Sequence, residues 1–529
     1  MTWVVKHPAT GETIGSLQET PPAKVNDLYR EAKEAFAAWS RLPVRKRLNY
    51  LRALRLAIVE DMEDIVRVIS QSTGKIPTEA LVTEVMAVAE AILHIEKRAP
   101  HALKTKKVKT PITFIGKTSY VEYKPRGVVL VLSPWNFPFQ LSAIPVAEAL
   151  AGGNTVILKP SEISPLVGVL IEALFAKAGF PKGVLQVAHG GKELGTALVR
   201  AKPDYIHFTG SVRTGKIIQA EAAKHLIPTT LELGGKDPMI VFADANLERA
   251  VNAAVWGAFS NSGQVCMSVE RIYVQRPVYD EFVTRLAQAA ECLRQGNDPD
   301  DDLGSMTFPT QLNIVASHVK QALEQGARLL TGEHPDTWQE GWMFLKPMIV
   351  TNVTQDMDIM QEETFGPVLP VMPFDTEEEA IQLANDSRFG LSASVWTSDI
   401  GRGKRVVSRL VTGNAVINDL IITIANPHLP YGGVKEGGLG AYHADIGMQT
   451  FCVRTSVMVD SGRWNREVHW FPYAGKFLPF ANLVRSFWGR SRNWPGFLRS
   501  YLQLLSLSRT ADRQASKPLM PTHDKQLHS

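Results

Sequence analysis

The stretch Pro125-Arg126-Gly127-Val128-Val129-Leu130-Val131-Leu132-Ser133-Pro134 decides the fold. Five aliphatic residues in succession, Val128 to Leu132, follow a proline–glycine turn and run out into another proline. A run with no polar side suits a strand buried on both faces, as in a parallel sheet covered by helices above and below. Comparable runs follow at Thr155–Leu158, Leu185–Val187 and Tyr205–Phe208. Between and after them the pattern predicts helices at Ala147–Leu150, Pro165–Lys177, near Glu193-Leu194 and from Gly215 to Lys224. Strands alternating with helices at this spacing argue for a doubly wound α/β sheet. Upstream, Pro22–Trp39 and Val44–Val68 read as helical, and Thr118–Tyr123 has the composition of a strand. A second α/β set begins after Lys236 and runs to about Asn418, and no repeat of 20–50 residues is visible.

At 529 residues the chain exceeds one ordinary core, so two or three domains are expected. Hydrophobic residues at 45% with 21% charged describe a globular protein, neither disordered nor multi-spanning. Three scattered cysteines, Cys266, Cys292 and Cys452, offer neither a disulfide framework nor a CxxC or Cys/His metal site, so no metal is expected. The opening residues lack an apolar stretch of signal-peptide length, and a reducing, cytoplasmic compartment is expected. Charge is divided unevenly. Residues 461–510 hold eight Lys/Arg against one acid, Glu467, a net +7, and residues 511–529 add +1. Out of the chain's +4, that leaves −4 for residues 1–460, so nucleic acid is not an expected partner.

Three residues carry the chemistry. Cys266 stands in Gly263-Gln264-Val265-Cys266, Glu232 lies 34 residues before it in Leu231-Glu232-Leu233-Gly234-Gly235-Lys236, and Glu363 lies 97 residues after it. Together they supply a thiol nucleophile, a carboxylate base and a second carboxylate able to hold a sugar. Elsewhere, Gly210-Ser211-Val212-Arg213-Thr214-Gly215-Lys216 fits the first seven positions of a phosphate-binding P-loop. The eighth is Ile217, where a hydroxyl must meet magnesium, so an ATPase reading fails. A glycine-rich turn between strand and helix remains an anion site through its free amides.

Seven segments resemble the NAD(P)-dependent aldehyde dehydrogenase superfamily, in its order and near its spacing. They are Pro134-Trp135-Asn136-Phe137-Pro138, Lys159-Pro160-Ser161-Glu162, Phe208-Thr209-Gly210-Ser211, Leu231 to Lys236, Gly263 to Cys266, Glu362 to Pro367, and Pro430 to Lys435. The resemblance covers about residues 20–460. It implies a Rossmann-like dinucleotide-binding domain (1–106 and 126–234), an α/β catalytic domain (235–449) and a small β oligomerisation hairpin (107–125 and 450–460). It further implies that Cys266 attacks the aldehyde carbon, that the Asn136 amide and the Cys266 N–H hold the oxyanion, and that Glu232 activates water against the thioester. Gly234 and Gly235 would leave Glu232 room to move. Cys292 and Cys452 are read as buried, inert thiols.

By the same resemblance Lys159 and Glu162 hold the adenosine ribose. A carboxylate there repels a 2′-phosphate, so NAD is expected ahead of NADP. Ser211, at the head of a helix starting near Thr214, fits a pyrophosphate contact on a turn shaped by Gly210 and Gly215. Glu363 would grip the nicotinamide ribose with Phe365 and Trp135 beside it. The partners implied are a small aldehyde and further copies of the chain, as a homodimer or homotetramer. CoA-acylating relatives typically lack the water-activating glutamate, and a non-catalytic scaffold would not need Cys266, Asn136 and Glu232 together. Ile144, Val146, Met267 and Trp135 are apolar, and no Arg or Lys stands out as a carboxylate clamp, which favours hydrophobic aldehydes, fatty or carotenoid, over semialdehydes.

The end of the chain departs from the family. Residues 461–529 form a basic, aromatic extension with eleven aromatic residues between Ser461 and Thr510. If Phe497–Leu507 is helical, Phe497, Leu498, Tyr501, Leu502, Leu504 and Leu505 share one apolar face opposite Arg499, Gln503 and Ser506. The segment is too short to span a bilayer, and Pro479 and Pro495 are expected to break the wider region into pieces. Its composition suits the headgroup boundary, so peripheral contact with the inner face of a membrane through residues 461–510 is expected.

Overall fold

The computed structural model describes residues 2–339 and 341–515, with side chains through 510. The run Val128–Leu132 is a strand buried at every position, and it lies at the centre of a six-stranded sheet. The order is Gly438–Leu439, Thr229–Glu232, Tyr205–Thr209, Val128–Leu132, Thr155–Lys159, Leu185–Val187. All neighbours are parallel except the short Gly438–Leu439 edge, which pairs antiparallel with Thr229–Glu232.

The pleat of the central strand divides two cores. Val129 and Val131 face a cluster built with helices Val44–Glu60, Met62–Thr73, Ala87–Ala102, Gln140–Ala151 and Pro165–Lys177. Val128, Leu130 and Leu132 face the opposite way, against Val25–Trp39, Lys192–Arg200 and Val212–Ala223. Helices on both faces make the sheet doubly wound, as the uninterrupted aliphatic runs require. The single helix read over Val44–Val68 is two, broken at Asp61, and the short one at Ala147–Leu150 is the end of Gln140–Ala151.

The second α/β set forms a seven-stranded sheet, Arg328–Leu329, Met348–Thr351, Val368–Phe374, Val269–Gln275, Asp237–Val241, Ser392–Trp396, Asn414–Ile417. It is parallel but for its first pair, and each face buries its own apolar cluster. Both large sheets belong to one compact unit, Met1–Lys106 with Val121–Thr455. A three-stranded sheet runs in the order Cys452–Val459, Thr118–Pro125, Lys106–Val108, with the strand expected at Thr118 beside its expected neighbour.

The second compact unit comprises Lys107–Tyr120 and the described residues from Ser456 onward. Its helices Phe477–Trp488 and Trp494–Ala515 pack on each other around Val468, Leu483, Phe497, Tyr501 and Leu504. The region is in two helical pieces, as expected, with Pro479 and Pro495 standing at their starts. Each sits in a first turn, where a proline's missing N–H has no intrahelical partner to lose. The single apolar face read over Phe497–Leu507 is split: Phe497, Tyr501 and Leu504 are core, while Leu498 and Leu502 are exposed. Lys117 bonds both Asp460 and Glu467, the latter at 2.8 Å, so the one acid of residues 461–510 is neutralised within the unit. Among the described residues no helix is long and apolar enough to cross a membrane. Residues 516–529 of the expected extension lie outside the described residues.

Candidate active site

Three chain segments bring the chemistry together. Glu232 ends strand Thr229–Glu232, and Asn136 follows strand Val128–Leu132, both at the carboxyl ends where ligands gather on such sheets. Cys266 follows helix Leu247–Phe259 by way of a loop in which Asn261, Ser262 and Gly263 are all left-handed, at φ 51°, 54° and 73°. A side chain on Gly263 would meet the Gly366 carbonyl oxygen at 2.2 Å, so only glycine lets the loop close against the segment after Glu363.

Close backbone approach shows the convergence directly. A Cβ on Gly234 would lie 2.4 Å from both carboxylate oxygens of Glu363, and one on Gly235 would lie 2.7 Å from the carbonyl of Cys266. These glycines make room for Glu363 and the Cys266 backbone. The Gly235 N–H also donates to Glu363 Oε1 at 3.2 Å. Asn136 is buried and its Nδ2 donates to the Gln264 carbonyl at 3.0 Å, two residues before Cys266.

Electrostatics at the centre are unusual. Neither carboxylate oxygen of Glu232 has a hydrogen-bond partner, and burial pushes its pKa well above the ordinary value. Burial also pushes the Cys266 thiol up to about 12, with Glu363, Asp237 and Glu232 adding repulsion and the Tyr431 hydroxyl, 3.7 Å from Sγ, opposing them. Apart from the Tyr431 hydroxyl, the groups acting on Cys266 are carboxyl groups, and all of them raise its pKa. Glu363 rises to about 8, from burial and then from Glu270.

The other two cysteines differ from each other. Cys452 is buried, with Sγ against the carbonyls of Met448 and Gly152, but Cys292 is exposed, at the end of a surface helix. That corrects the reading of both as buried.

The residues expected to hold a dinucleotide line the same sheet edge. Lys159 ends strand Thr155–Lys159 and donates to Glu162 at 3.1 Å and to the Pro160 carbonyl at 2.9 Å. Ser211 caps helix Val212–Ala223, which starts two residues before the expected Thr214 because the Ser211 hydroxyl accepts from the Thr214 N–H. Gly215 lies under Leu233, 2.6 Å from where its Cβ would be, so helix and strand exit pack without a side chain between them. Gly210 stands just before the cap, and the neighbouring Thr209 hydroxyl is buried without a partner. Phe365, itself left-handed at φ 51°, meets Trp135 edge-on at 5.6 Å between ring centres. An unfilled hydroxyl beside a capped helix N-terminus, with a lysine–glutamate pair two strands away, fits a phosphate-bearing dinucleotide.

Residues 2–457 match the profile of the aldehyde dehydrogenase family. The chain belongs to that family. It is 42% identical to 4,4'-diapolycopene aldehyde oxidase of a Methylomonas species, over 88% of this chain and 87% of that protein. It is 36% identical to 2-aminomuconic semialdehyde dehydrogenase of Mus musculus, over 82% and 90%. Among solved structures it resembles betaine aldehyde dehydrogenase from Staphylococcus aureus in complex with NAD+, at TM-score 0.84 and 32% identity, over 89% of this chain and 93% of that one. The oxidoreductase class expected from the motifs therefore holds.

Sequence reading missed several residues of this aldehyde dehydrogenase site. Tyr431 touches the Cys266 sulfur, although it lies within a quoted motif, Pro430 to Lys435. Glu270 accepts from the N–H groups of Thr364 and Phe365, at 2.8 and 2.9 Å, and so fixes the segment that carries Glu363. Buried Lys236, also in a quoted motif, balances Glu270 at 2.6 Å.

Proposed function

We propose that the protein oxidises a long, apolar aldehyde to its carboxylic acid through a thioester on Cys266, with NAD as acceptor. The observation that carries this reading is the meeting of Cys266, Glu232, Asn136 and Glu363 at facing loop ends. Cys266 Sγ gives up its proton, which Glu232 takes and passes on to water, and forms a bond to the aldehyde carbon while the carbonyl π pair moves onto oxygen. The oxyanion is held by the Asn136 Nδ2–H and the Cys266 N–H. NAD, when bound, supplies the acceptor for the hydride that this carbon loses on becoming a thioester, and NADP is the alternative. Glu232 then takes a proton from water, the hydroxide oxygen bonds to the acyl carbon, and the C–S bond breaks to release the acid. An unpartnered, buried carboxylate is a strong base because nothing in its surroundings favours its charge. Lys159 and Glu162 hold the adenosine ribose, Gly210, Ser211 and Gly215 form the pyrophosphate turn, and Glu363, Phe365 and Trp135 position the nicotinamide end.

Apolar surroundings support the substrate class. Ile144 and Met267 are buried in the same hydrophobic cluster against which Cys266, Ile421 and Ile424 pack, and Val146 is its fully enclosed backing. A relative named for a carotenoid aldehyde points the same way. The C-terminal unit adds a place to meet such a substrate. Phe477 (80% exposed), Phe471 (71%) and Leu478 (66%) stand among the arginines of the +7 segment. This unit docks on an anionic lipid surface at the inner face of the membrane, where basic residues and exposed rings act together. The enzyme works as a homodimer or homotetramer, through the strands Thr118–Pro125 and Cys452–Val459.

The test is NADH formation across an aldehyde series of rising chain length, with and without anionic vesicles and without CoA. Activity that rises with length and with vesicles is expected. Preference for succinic semialdehyde, or turnover only with CoA, would overturn the reading.

A further inference from the structure

Beneath the oxyanion loop lies a buried charge pair that the mechanism above does not use. Lys75 and Glu84 both have fully buried side chains and meet at 2.7 Å. Glu84 belongs to a π-helical turn, Leu81–Met86, a geometry that is rare and concentrates at functional sites. Its second oxygen accepts from the N–H groups of Phe139 (2.8 Å) and Gln140 (3.2 Å), which open helix Gln140–Ala151 and have no partner within it. Lys75 donates to the Asn136 carbonyl at 3.1 Å and places its ammonium 3.8 Å from the centre of the Phe137 ring. Residues 136–140 are thus gripped at both ends by one ion pair.

A second grip comes from the cysteine loop. Asn261 Nδ2 donates to the Asn136 carbonyl (3.2 Å) and to the Gln264 carbonyl (3.1 Å), and the Asn261 N–H is held by Glu79 at 2.5 Å. The Asn136 peptide therefore has donors from two segments, while its side chain spends one amide hydrogen on Gln264 and keeps the other.

We propose that the Lys75–Glu84 pair is a positioning device that fixes the Asn136 amide for the oxyanion. A pair this deeply buried is a poor way to stabilise a fold, since desolvation offsets most of its attraction. Its product is geometry: four of its contacts fall on the five residues that begin with Asn136. The proposal rests on the oxyanion role given to Asn136 above, and the experiment separates the two.

The variant is Lys75→Met/Glu84→Gln, which removes both charges while leaving an amide oxygen for Phe139 and Gln140. It is made in the wild-type and Asn136→Ala backgrounds, and the first-turnover rate of NADH formation is measured with aldehyde KM and NAD affinity. In the wild type that rate should fall about tenfold to hundredfold, the scale of a misplaced donor, with KM and NAD affinity little changed. In the Asn136→Ala background the further loss should nearly vanish, because the pair acts through the missing amide. Equal losses in both backgrounds, or no loss in the wild type, overturn the proposal. Full activity of Asn136→Ala alone overturns the oxyanion role and the proposal with it. Should the double variant not fold, Lys75→Arg keeps charge opposite Glu84 but alters the donor to Asn136, and the same two-background comparison applies.

Discussion

Around Cys266 the interior holds a carboxyl group without partners, whereas the C-terminal helix pair holds aromatic rings without cover. The first region buries Glu232 with both oxygens unbonded and surrounds a thiol with carboxylates. The second leaves Phe477 and Phe471 largely in solvent after its own small core is complete. Both reverse the usual placement, and each costs folding free energy that a purely structural design would avoid. The difference lies in what relieves them. On the proposed function, relief inside would come from a reacting molecule and outside from a lipid surface.

The interior side of this comparison breaks most sharply at the nucleophile. Cys266→Ala should lower aldehyde oxidation at least about 10⁴-fold while leaving NAD affinity intact, measured by turnover and by fluorescence titration. Retained turnover would move the nucleophile elsewhere. The electrostatics predict a pH dependence as well. With its pKa pushed up to about 12, Cys266 is a neutral thiol at pH 7, and its thiolate fraction grows as pH rises towards that value. Alkylation by iodoacetamide, in a Cys292→Ser background that removes the exposed thiol, should rise about tenfold per pH unit between pH 7 and 9. A plateau below pH 8 would mean that a cation lowers the pKa after all.

How far each region was legible follows from the range of its contacts. Uninterrupted aliphatic runs such as Val128–Leu132 announce buried parallel strands, because period and length alone specify them. Cys266, Glu232 and Asn136 were legible as motif residues, and the structure adds where they meet. Lys75–Glu84 was not, since two charges nine residues apart look like a solvated surface until Asn136, 61 residues beyond Lys75, comes to lie on them. Tyr431 reaches Cys266 across 165 residues, a contact no local pattern encodes. In the tail, helical periodicity marked the apolar face correctly but not that a partner helix would cover half of it. The prolines were legible as the breaks between pieces, because a proline is tolerated only at a helix start.

The surface side predicts smaller effects. Ending the chain after Asp460 should abolish binding to anionic vesicles and lower turnover of lipid-dissolved aldehydes, with soluble aldehydes oxidised at a similar rate. Loss on every aldehyde would make the tail structural. Phe477→Ser with Leu498→Ser spares the packed Phe497, Tyr501 and Leu504, and should weaken vesicle binding by roughly 2–5 kcal/mol in sedimentation. Unchanged binding would assign any attachment to charge alone.

The central claim, a thioester on Cys266 resolved by Glu232, is tested most directly by Glu232→Gln mixed with NAD and a long-chain aldehyde. The account predicts one rapid equivalent of NADH per site, then turnover slowed by about 10²–10⁴, with intact-protein mass spectrometry finding the acyl group on Cys266. Steady turnover at the wild-type rate with no acylated cysteine would contradict it.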